Sequence, residues 1–270
     1  MVTTRLRPEL NGVPETMLWS LYERVTEAKR QNGILPDPEA VRIYDSIEFD
    51  FAGKFGNSSR LAAARAARID SAVRAWLRRH PRGIVVSLGE GLETQAYRVD
   101  NGTMRWLSVD LPEAISLREH FLKPTDRFKH LAMSALDPRW MEAVDDRSGV
   151  LIIAQGLLMY FEPEEVRRLM VAIKQRLRQT EMIFDLIPRI TSQSTMDRVG
   201  ITPNFIPPVM PWGLDRNEVE ATLRSWLPDL KAVRCARYNV PGTKPGFIES
   251  LLDVIHPGRQ RQPSLVQLAF

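Results

Sequence analysis

Ile84-Val85-Val86-Ser87-Leu88-Gly89-Glu90-Gly91-Leu92-Glu93-Thr94-Gln95 decides the fold of this 270-residue chain. A short, largely β-branched apolar run has the length of a buried strand, and it closes in a Gly-x-Gly turn that passes into a helix-compatible segment. Gly89 and Gly91 have no Cβ, so the backbone can turn sharply there and lie close to a ligand. Nineteen positions after Gly91, the run Met104-Arg105-Trp106-Leu107-Ser108-Val109-Asp110 offers a second strand with an acid at its carboxyl end. An acid in that place commonly holds the ribose hydroxyls of an adenosine-containing ligand in doubly wound α/β folds. Thr94 stands where a dinucleotide fingerprint has its third glycine, which argues against a pyrophosphate. The pattern points to an adenosine cofactor without phosphates, and S-adenosylmethionine is the candidate.

Outward from that stretch, the composition is that of an ordinary globular protein, with 44% hydrophobic and 26% charged residues. The net charge of +4 comes from arginines scattered along helical segments rather than from one block, so nucleic-acid binding is not expected. Cys235 is the single cysteine, which excludes an intrachain disulfide and a cysteine-rich metal site. No metal is expected. The first residues lack the apolar core of a secretory signal, no run reaches the roughly 18 apolar residues that span a bilayer, and the expected location is cytoplasmic without a membrane partner.

Taken in order, residues 13–31 carry Val13, Met17, Leu18, Leu21, Tyr22 and Val25 at the spacing of one helix face, stopped by Gly33 and Pro36. A less regular segment with Tyr44, Phe49 and Phe51 follows. Residues 1–57 therefore read as a helical cap over the cleft, and residues 58–270 as the cofactor-binding core. Residues 58–79 form a strongly helical stretch that presents Arg60, Arg65 and Arg68 just ahead of the glycine turn. Pro112 opens a helix after the second strand. Further strands are expected at 127–133, 150–154 and 181–187, with a helix over 163–178 whose acidic start and basic end suit the helix dipole.

Residues 188–213 hold five prolines and few charges. They read as a structureless lid or binding loop, part of an insertion at about 188–226 that ends in a helix from Asp215 to about Trp226. Two more strands are expected at 232–240 and 264–270, with a helix between them at 246–255. Strands alternating with helices give an α/β fold with a mainly parallel sheet.

Four blocks of this chain resemble the leucine carboxyl methyltransferase family, particularly its bacterial branch of polyketide O-methyltransferases. They are Gly12-Val13-Pro14-Glu15-Thr16 with Leu21-Tyr22-Glu23-Arg24; Val85 through Thr94 with Arg98-Val99-Asp100; Trp106 with Val109-Asp110-Leu111-Pro112; and Gln155-Gly156-Leu157-Leu158-Met159-Tyr160. The resemblance implies a class I methyltransferase, Rossmann-like, with seven strands of which the last is antiparallel, a helical cap and an insertion after the fifth strand. It also implies S-adenosylmethionine and methyl transfer to a carboxylate or other oxygen. Two positions depart from the family: Gln155 stands where Glu is usual, and Glu90 where Ala or Cys is common between the glycines.

On this reading Asp110 accepts the ribose hydroxyls, with Leu111 beside it. By family spacing Arg65 grips the cofactor carboxylate through two parallel bonds, with Arg60 and Arg68 as alternatives. The turn Gly89-Glu90-Gly91 and the pair Gln155-Gly156 receive the ammonium; either the cofactor is held more weakly for want of a charge at Gln155, or Glu90 partly compensates. By analogy with the family, Ser134, Ala135 and Leu136 bracket the adenine. Tyr160 either faces the transferred methyl or packs beneath the cofactor. Thr16, Met17, Trp19, Tyr22, Phe205, Met210 and Trp212, from the cap and the late loop, are the candidates for a small-molecule acceptor pocket, and core packing is the competing reading of each. None of the four histidines lies in a motif that aims it at the cleft, which favours an already ionised acceptor, a carboxylate or acidic phenol, over one that needs a base. Two other readings are a protein C-terminal carboxyl methyltransferase and a ligand-binding scaffold of the same fold without turnover. The sequence leaves the oligomeric state open.

Overall fold

The computed structural model describes residues 5–237 and 262–270. Its centre is a seven-stranded sheet in the order β3-β2-β1-β4-β5-β7-β6. The strands are β1 (Ile84–Leu88), β2 (Arg105–Asp110), β3 (Phe128–Ala132), β4 (Val150–Ala154), β5 (Thr180–Leu186), β6 (Ala232–Arg237) and β7 (Ser264–Ala269). β1 pairs in parallel with both β2 and β4, and β7 runs antiparallel between β5 and β6. The chain order reverses between β1 and β4, and in open α/β sheets the crevice at the carboxyl ends of the strands flanking such a switch is where ligands bind.

Side chains on β1 and β4 alternate between two cores, as a sheet covered on both faces requires. Val86, Leu88, Ile152 and Ala154 pack on one side with Val166, Met170 and Ile173 of α7 (Pro163–Arg176) and Val219 and Leu223 of α9 (Arg216–Trp226). Val85, Leu151 and Ile153 face the other way, against Ile69, Val73, Trp76 and Leu77 of α4 (Leu61–Arg79). The continuous apolar run of β4 follows from this double burial.

A third core belongs to α1 (Thr16–Ala28), α2 (Pro38–Asp45) and α3 (Phe51–Phe55), which pack Leu18, Leu21, Ile43, Phe51 and Phe55 against Leu92, Leu117 and Phe205. Leu92 follows the glycine turn, and Leu117 lies on α6 (Pro112–Phe121). This helical layer sits on the carboxyl end of β1 and β2.

The segment after β5 departs from the expectation of a structureless loop. Residues Arg189–Met196 form a helix, α8, whose Ser192 donates to the Met210 carbonyl at 2.7 Å and whose Thr195 accepts from the Met210 N–H at 3.0 Å. Hydroxyl residues weaken a helical sequence signal because they compete for backbone partners. Beyond α8, the loop is strapped to the cap: Thr202 Oγ1 donates to the Lys54 carbonyl at 2.7 Å and Asn204 Nδ2 to the Gly53 carbonyl at 2.8 Å. α9 starts as its sequence predicts, with a reciprocal capping box between Asp215 and Glu218. The expected strand 232–240 is described to Arg237, and the expected helix 246–255 lies outside the described residues.

Cap and sheet are joined by buried charge. Arg98, on α5 (Gln95–Val99), sends Nε to Asp70 at 2.8 Å and Nη1 to Asp37 at 2.6 Å and to Glu93 at 2.7 Å. Arg24 of α1 lies 3.2 Å from Glu93 and donates to the Leu92 carbonyl at 2.8 Å. Burial opposes the ionisation of Glu93, but Arg24 and Arg98 outweigh it and hold its carboxyl at about 2. Removing one member of such a group strands the rest as unpaired buried charge. We therefore expect Arg98→Met to lower unfolding stability by about 3–5 kcal/mol in urea titration; a loss under about 1 kcal/mol would mean that the network does not hold the cap.

Candidate functional site

The glycine turn is braced from beneath. Gly89 and Gly91 have φ of +62° and +53°, and a Cβ at Gly91 would lie 2.9 Å from Met17 Cβ, so the turn needs glycine for conformation and for room. Arg118 of α6, buried under the loop, donates to the Gly91 carbonyl at 2.9 Å and the Glu93 carbonyl at 2.6 Å. Its own counter-ion is Glu90, at 3.2 Å, whose carboxylate also accepts from the Trp106 indole N–H at 3.1 Å. Burial pushes the Glu90 carboxyl up, opposed by Arg118. Glu90 lines the cavity, but its side chain is 0% exposed and turned into this brace, held by Arg118 and the Trp106 indole.

Above the turn lies a cavity of about 610 Å³, walled by the carboxyl ends of β1, β2, β4 and β5, by α1 and α4, and by the segment from α8 to Met210. Asp110 ends β2 at its wall. Asp110 Oδ2 accepts from the Gly91 N–H at 2.6 Å and Oδ1 from the Leu111 N–H at 2.8 Å. Each oxygen keeps a further lone pair for a hydroxyl in the cavity. Burial raises the Asp110 carboxyl, and these two N–H bonds oppose the rise.

Of the three arginines on this stretch of chain, Arg65 is the one in the cavity wall. Its Nη1 donates to Asp185 Oδ2 at 2.7 Å, and Asp185 Oδ1 accepts from the Gly156 N–H at 2.5 Å, which fixes the direction of the guanidinium. Arg60 is spent on Glu27 through two bonds, at 2.7 and 2.8 Å, and Arg68 is exposed. Asp185 is a member the sequence reading missed. The signal was there: an acid inside the strand Ile183-Phe184-Asp185-Leu186, buried on both faces, needs a partner.

Gln155 follows β4. Its Nε2 donates to Glu93 Oε2 at 3.0 Å, and its Oε1 is buried with no hydrogen-bond partner among the described residues. An ionised carboxylate only accepts, so Glu93 dictates which side of the amide faces it and leaves the carbonyl oxygen for another donor. Ser134 and Ala135 line the cavity beside Leu111, and the Trp140 indole N–H holds the Ala135 carbonyl at 3.0 Å.

Four expected positions are placed elsewhere. Leu136 is outside the cavity wall and packs into the sheet core. Tyr22 joins Tyr44, Phe51 and Phe55 inside the cap and donates to the Gly56 carbonyl at 3.0 Å. Phe205 is wedged between Trp19 and Phe55, where it pins the late loop to the cap. Trp212 stacks between Phe184 and Trp226 in the main core. Aromatic residues look alike in sequence whether they fill a core or a pocket, and for these three the core prevails. Thr16, Met17, Trp19, Met210 and Tyr160 do line the cavity, joined by Ile187, Val199 and Ile201, which the sequence reading did not single out.

A cofactor with a carboxylate, an ammonium, two ribose hydroxyls and an adenine finds chemically matching groups here. The orphaned Gln155 oxygen wants a donor, and the glycine turn is a cradle that a Cβ would fill. Solved structures similar to this one include methyltransferases. The plantazolicin methyltransferase BamL gives a TM-score of 0.55 at 10% identity, covering 95% of this chain and 98% of that one. The CurJ carbon methyltransferase gives 0.54 at 13% identity, covering 95% and 67%. The fold is that of the class I methyltransferases.

The chain belongs to the leucine carboxyl methyltransferase family, whose model matches residues 18–174, and is an S-adenosylmethionine-dependent methyltransferase. Among curated proteins, the tetracenomycin polyketide synthesis O-methyltransferase TcmP of Streptomyces glaucescens is 26% identical over 181 residues, which cover 66% of this chain and 67% of that one. The S-adenosyl-L-methionine-dependent methyltransferase dpfgK of Gibberella zeae is 25% identical over 199 residues, 65% of this chain and 66% of the relative, just under two thirds of its length. Among the described residues no helix is long and apolar enough to cross a membrane, and no cluster of metal-ligating side chains is present.

Asp110→Ala should weaken binding of S-adenosylhomocysteine by about 1–3 kcal/mol in calorimetry, and Arg65→Ala by at least as much. An unchanged dissociation constant for either would move the ribose or the carboxylate to other residues.

Proposed function

We propose that the protein methylates an oxygen, a carboxylate or acidic phenol, of a small, largely apolar, natural-product-like molecule. The observation that carries this reading is the mixed lining of the cavity. Beside the charged groups of the cofactor end, α1 and the late loop contribute Met17, Trp19, Ile187, Val199, Ile201 and Met210, with Thr16 and Tyr160 as polar points. Such walls suit an apolar ligand held by few polar contacts. The O-methyltransferase activity named for the Streptomyces relative supports the same chemistry.

At the cofactor end Asp110 would hold the ribose hydroxyls, Arg65 the carboxylate, Gln155 the ammonium, and Ser134 and Ala135 the adenine edge. S-adenosylmethionine supplies an electrophilic methyl on a sulfonium. The chain's contribution is to hold the acceptor oxygen in line and keep water out, and positioning alone can account for several orders of magnitude in rate.

The described residues supply no evident base. His80 stacks on Trp76, His120 lies against Phe121, and His130 contacts Arg118 and Glu119; none of the three lines the cavity. The carboxylates at the wall are engaged: Glu23 accepts from the Ser59 N–H at 2.7 Å and from its hydroxyl, and Asp110 and Asp185 hold backbone N–H groups. Tyr160 is desolvated, which pushes its phenol up and keeps it protonated, so it serves as a hydrogen-bond donor and an orienting wall. An acceptor that is already ionised needs none of these as a base.

The rate on an aromatic carboxylic acid should accordingly be flat between about pH 6 and 9, because the acceptor is ionised throughout. Tyr160→Phe should cost no more than roughly tenfold in kcat/KM, the worth of one hydrogen bond. An inflection near pH 6.5, or a loss beyond about a thousandfold for Tyr160→Phe, would instead make a titrating side chain part of the chemistry.

A further inference from the structure

Gln155 leaves its Oε1 bare at the cavity wall, and the structure holds a carboxylate one hydrogen bond behind the amide. We propose that Glu93 and Gln155 form a divided acidic site: Glu93 supplies the negative charge, and the Gln155 amide carries it to the cofactor ammonium. The inference deepens the cofactor assignment above and rests on it.

Three observations carry the proposal. Glu93 Oε2 accepts from Gln155 Nε2 at 3.0 Å, so the amide dipole lies with its positive end on the carboxylate and its negative end, Oε1, on the far side. That Oε1 is buried and has no partner among the described residues, and Gln155, Glu93 and the glycine turn all line the same cavity. An acceptor left bare and backed by an anion is shaped for a cation, since a chain of hydrogen bonds polarises along its length.

The surrounding charge makes the same case. Asp37, Asp70 and Glu93 face Arg24 and Arg98, three carboxylates to two buried guanidiniums, with the half-exposed Arg74 reaching Asp70 only at 4.0 Å. A cation lodged at Gln155 Oε1 would offset that excess. Glu93 stays ionised because Arg24 and Arg98 overcome its burial, so the charge is present throughout the neutral range. A second carboxylate in place of Gln155 would stand against Glu93, and like charges in one site force one of them to take up a proton. Gln at this position is thus the residue that fits beside a glutamate at position 93. Glu93 acts through Gln155, so it is a positioning residue and not a catalytic one.

The test is calorimetric and uses two ligands, S-adenosylhomocysteine and its analogue lacking the amino group. Glu93→Gln should weaken S-adenosylhomocysteine by roughly tenfold or more and leave the des-amino analogue within about threefold. Adding Gln155→Glu to that variant should return most of the lost affinity by putting the charge back at the contact. Equal losses for both ligands, or no recovery in the double variant, would overturn the proposal and leave Glu93 a purely structural ion. Should Glu93→Gln not fold, Glu93→Asp decides, because it keeps the charge that Arg24 and Arg98 pair with while drawing the carboxylate back from the Gln155 amide: a loss confined to the amino-bearing ligand supports the relay, and equal or absent losses for both ligands overturn it. Failure of the wild-type protein to bind S-adenosylhomocysteine at all would instead sink the cofactor assignment.

Discussion

Arg98 is the constraint on which the arrangement turns. A guanidinium buried this deeply is tolerated only if its donors are met, and they are met by three acids from three different parts of the chain: Asp37 at the start of α2, Asp70 on α4, and Glu93 just past the glycine turn. Asp37 also caps α2 and accepts from the Thr94 hydroxyl at 2.7 Å. One side chain thereby sets where the cap sits, where α4 crosses, and how the turn after β1 leaves the sheet. Hydrophobic packing brings these elements together but is not directional, and the charge network fixes their register.

The same economy runs through the site. Asp110 receives the Gly91 N–H and so couples the end of β2 to the turn after β1 before any ligand is considered. Asp185 aims Arg65 and holds the Gly156 N–H, coupling β5 to the segment after β4. Arg118 and Glu90 brace the turn from below. Asp110, Arg65, Gln155 and the glycine turn are each positioned by another polar group, and such preorganisation lowers the cost of ordering the site on binding.

Much of the fold was legible because it depends on local pattern. β1, β4 and the glycine turn can be read from β-branched runs ending in small residues, and α9 from its capping box. The family resemblance supplied the strand count and the antiparallel last strand, which no local pattern contains. The parts that were not legible depend on partners far away in sequence. Glu90 looked like a ligand because it stands between two glycines, yet Arg118, twenty-eight positions on, draws it underneath. Tyr22 and Trp212 looked like pocket walls because they are aromatic and near the right elements, and stacking against Phe51 and Phe184 takes them into cores. α8 was hidden by its serines and threonines, whose hydroxyls bond to backbone within the helix and to the Met210 segment.

The proposed cofactor site puts a nucleoside over the ends of β1 and β2, with its amino-acid portion between Arg65 and the amide of Gln155. A crystal structure with S-adenosylhomocysteine bound tests this directly. The ribose hydroxyls should lie within hydrogen-bond distance of both Asp110 oxygens, and the ligand's amino nitrogen against Gln155 Oε1 with the Glu93 bond intact. A nucleoside bound elsewhere, or an amino group turned away from Gln155 toward solvent, would contradict it.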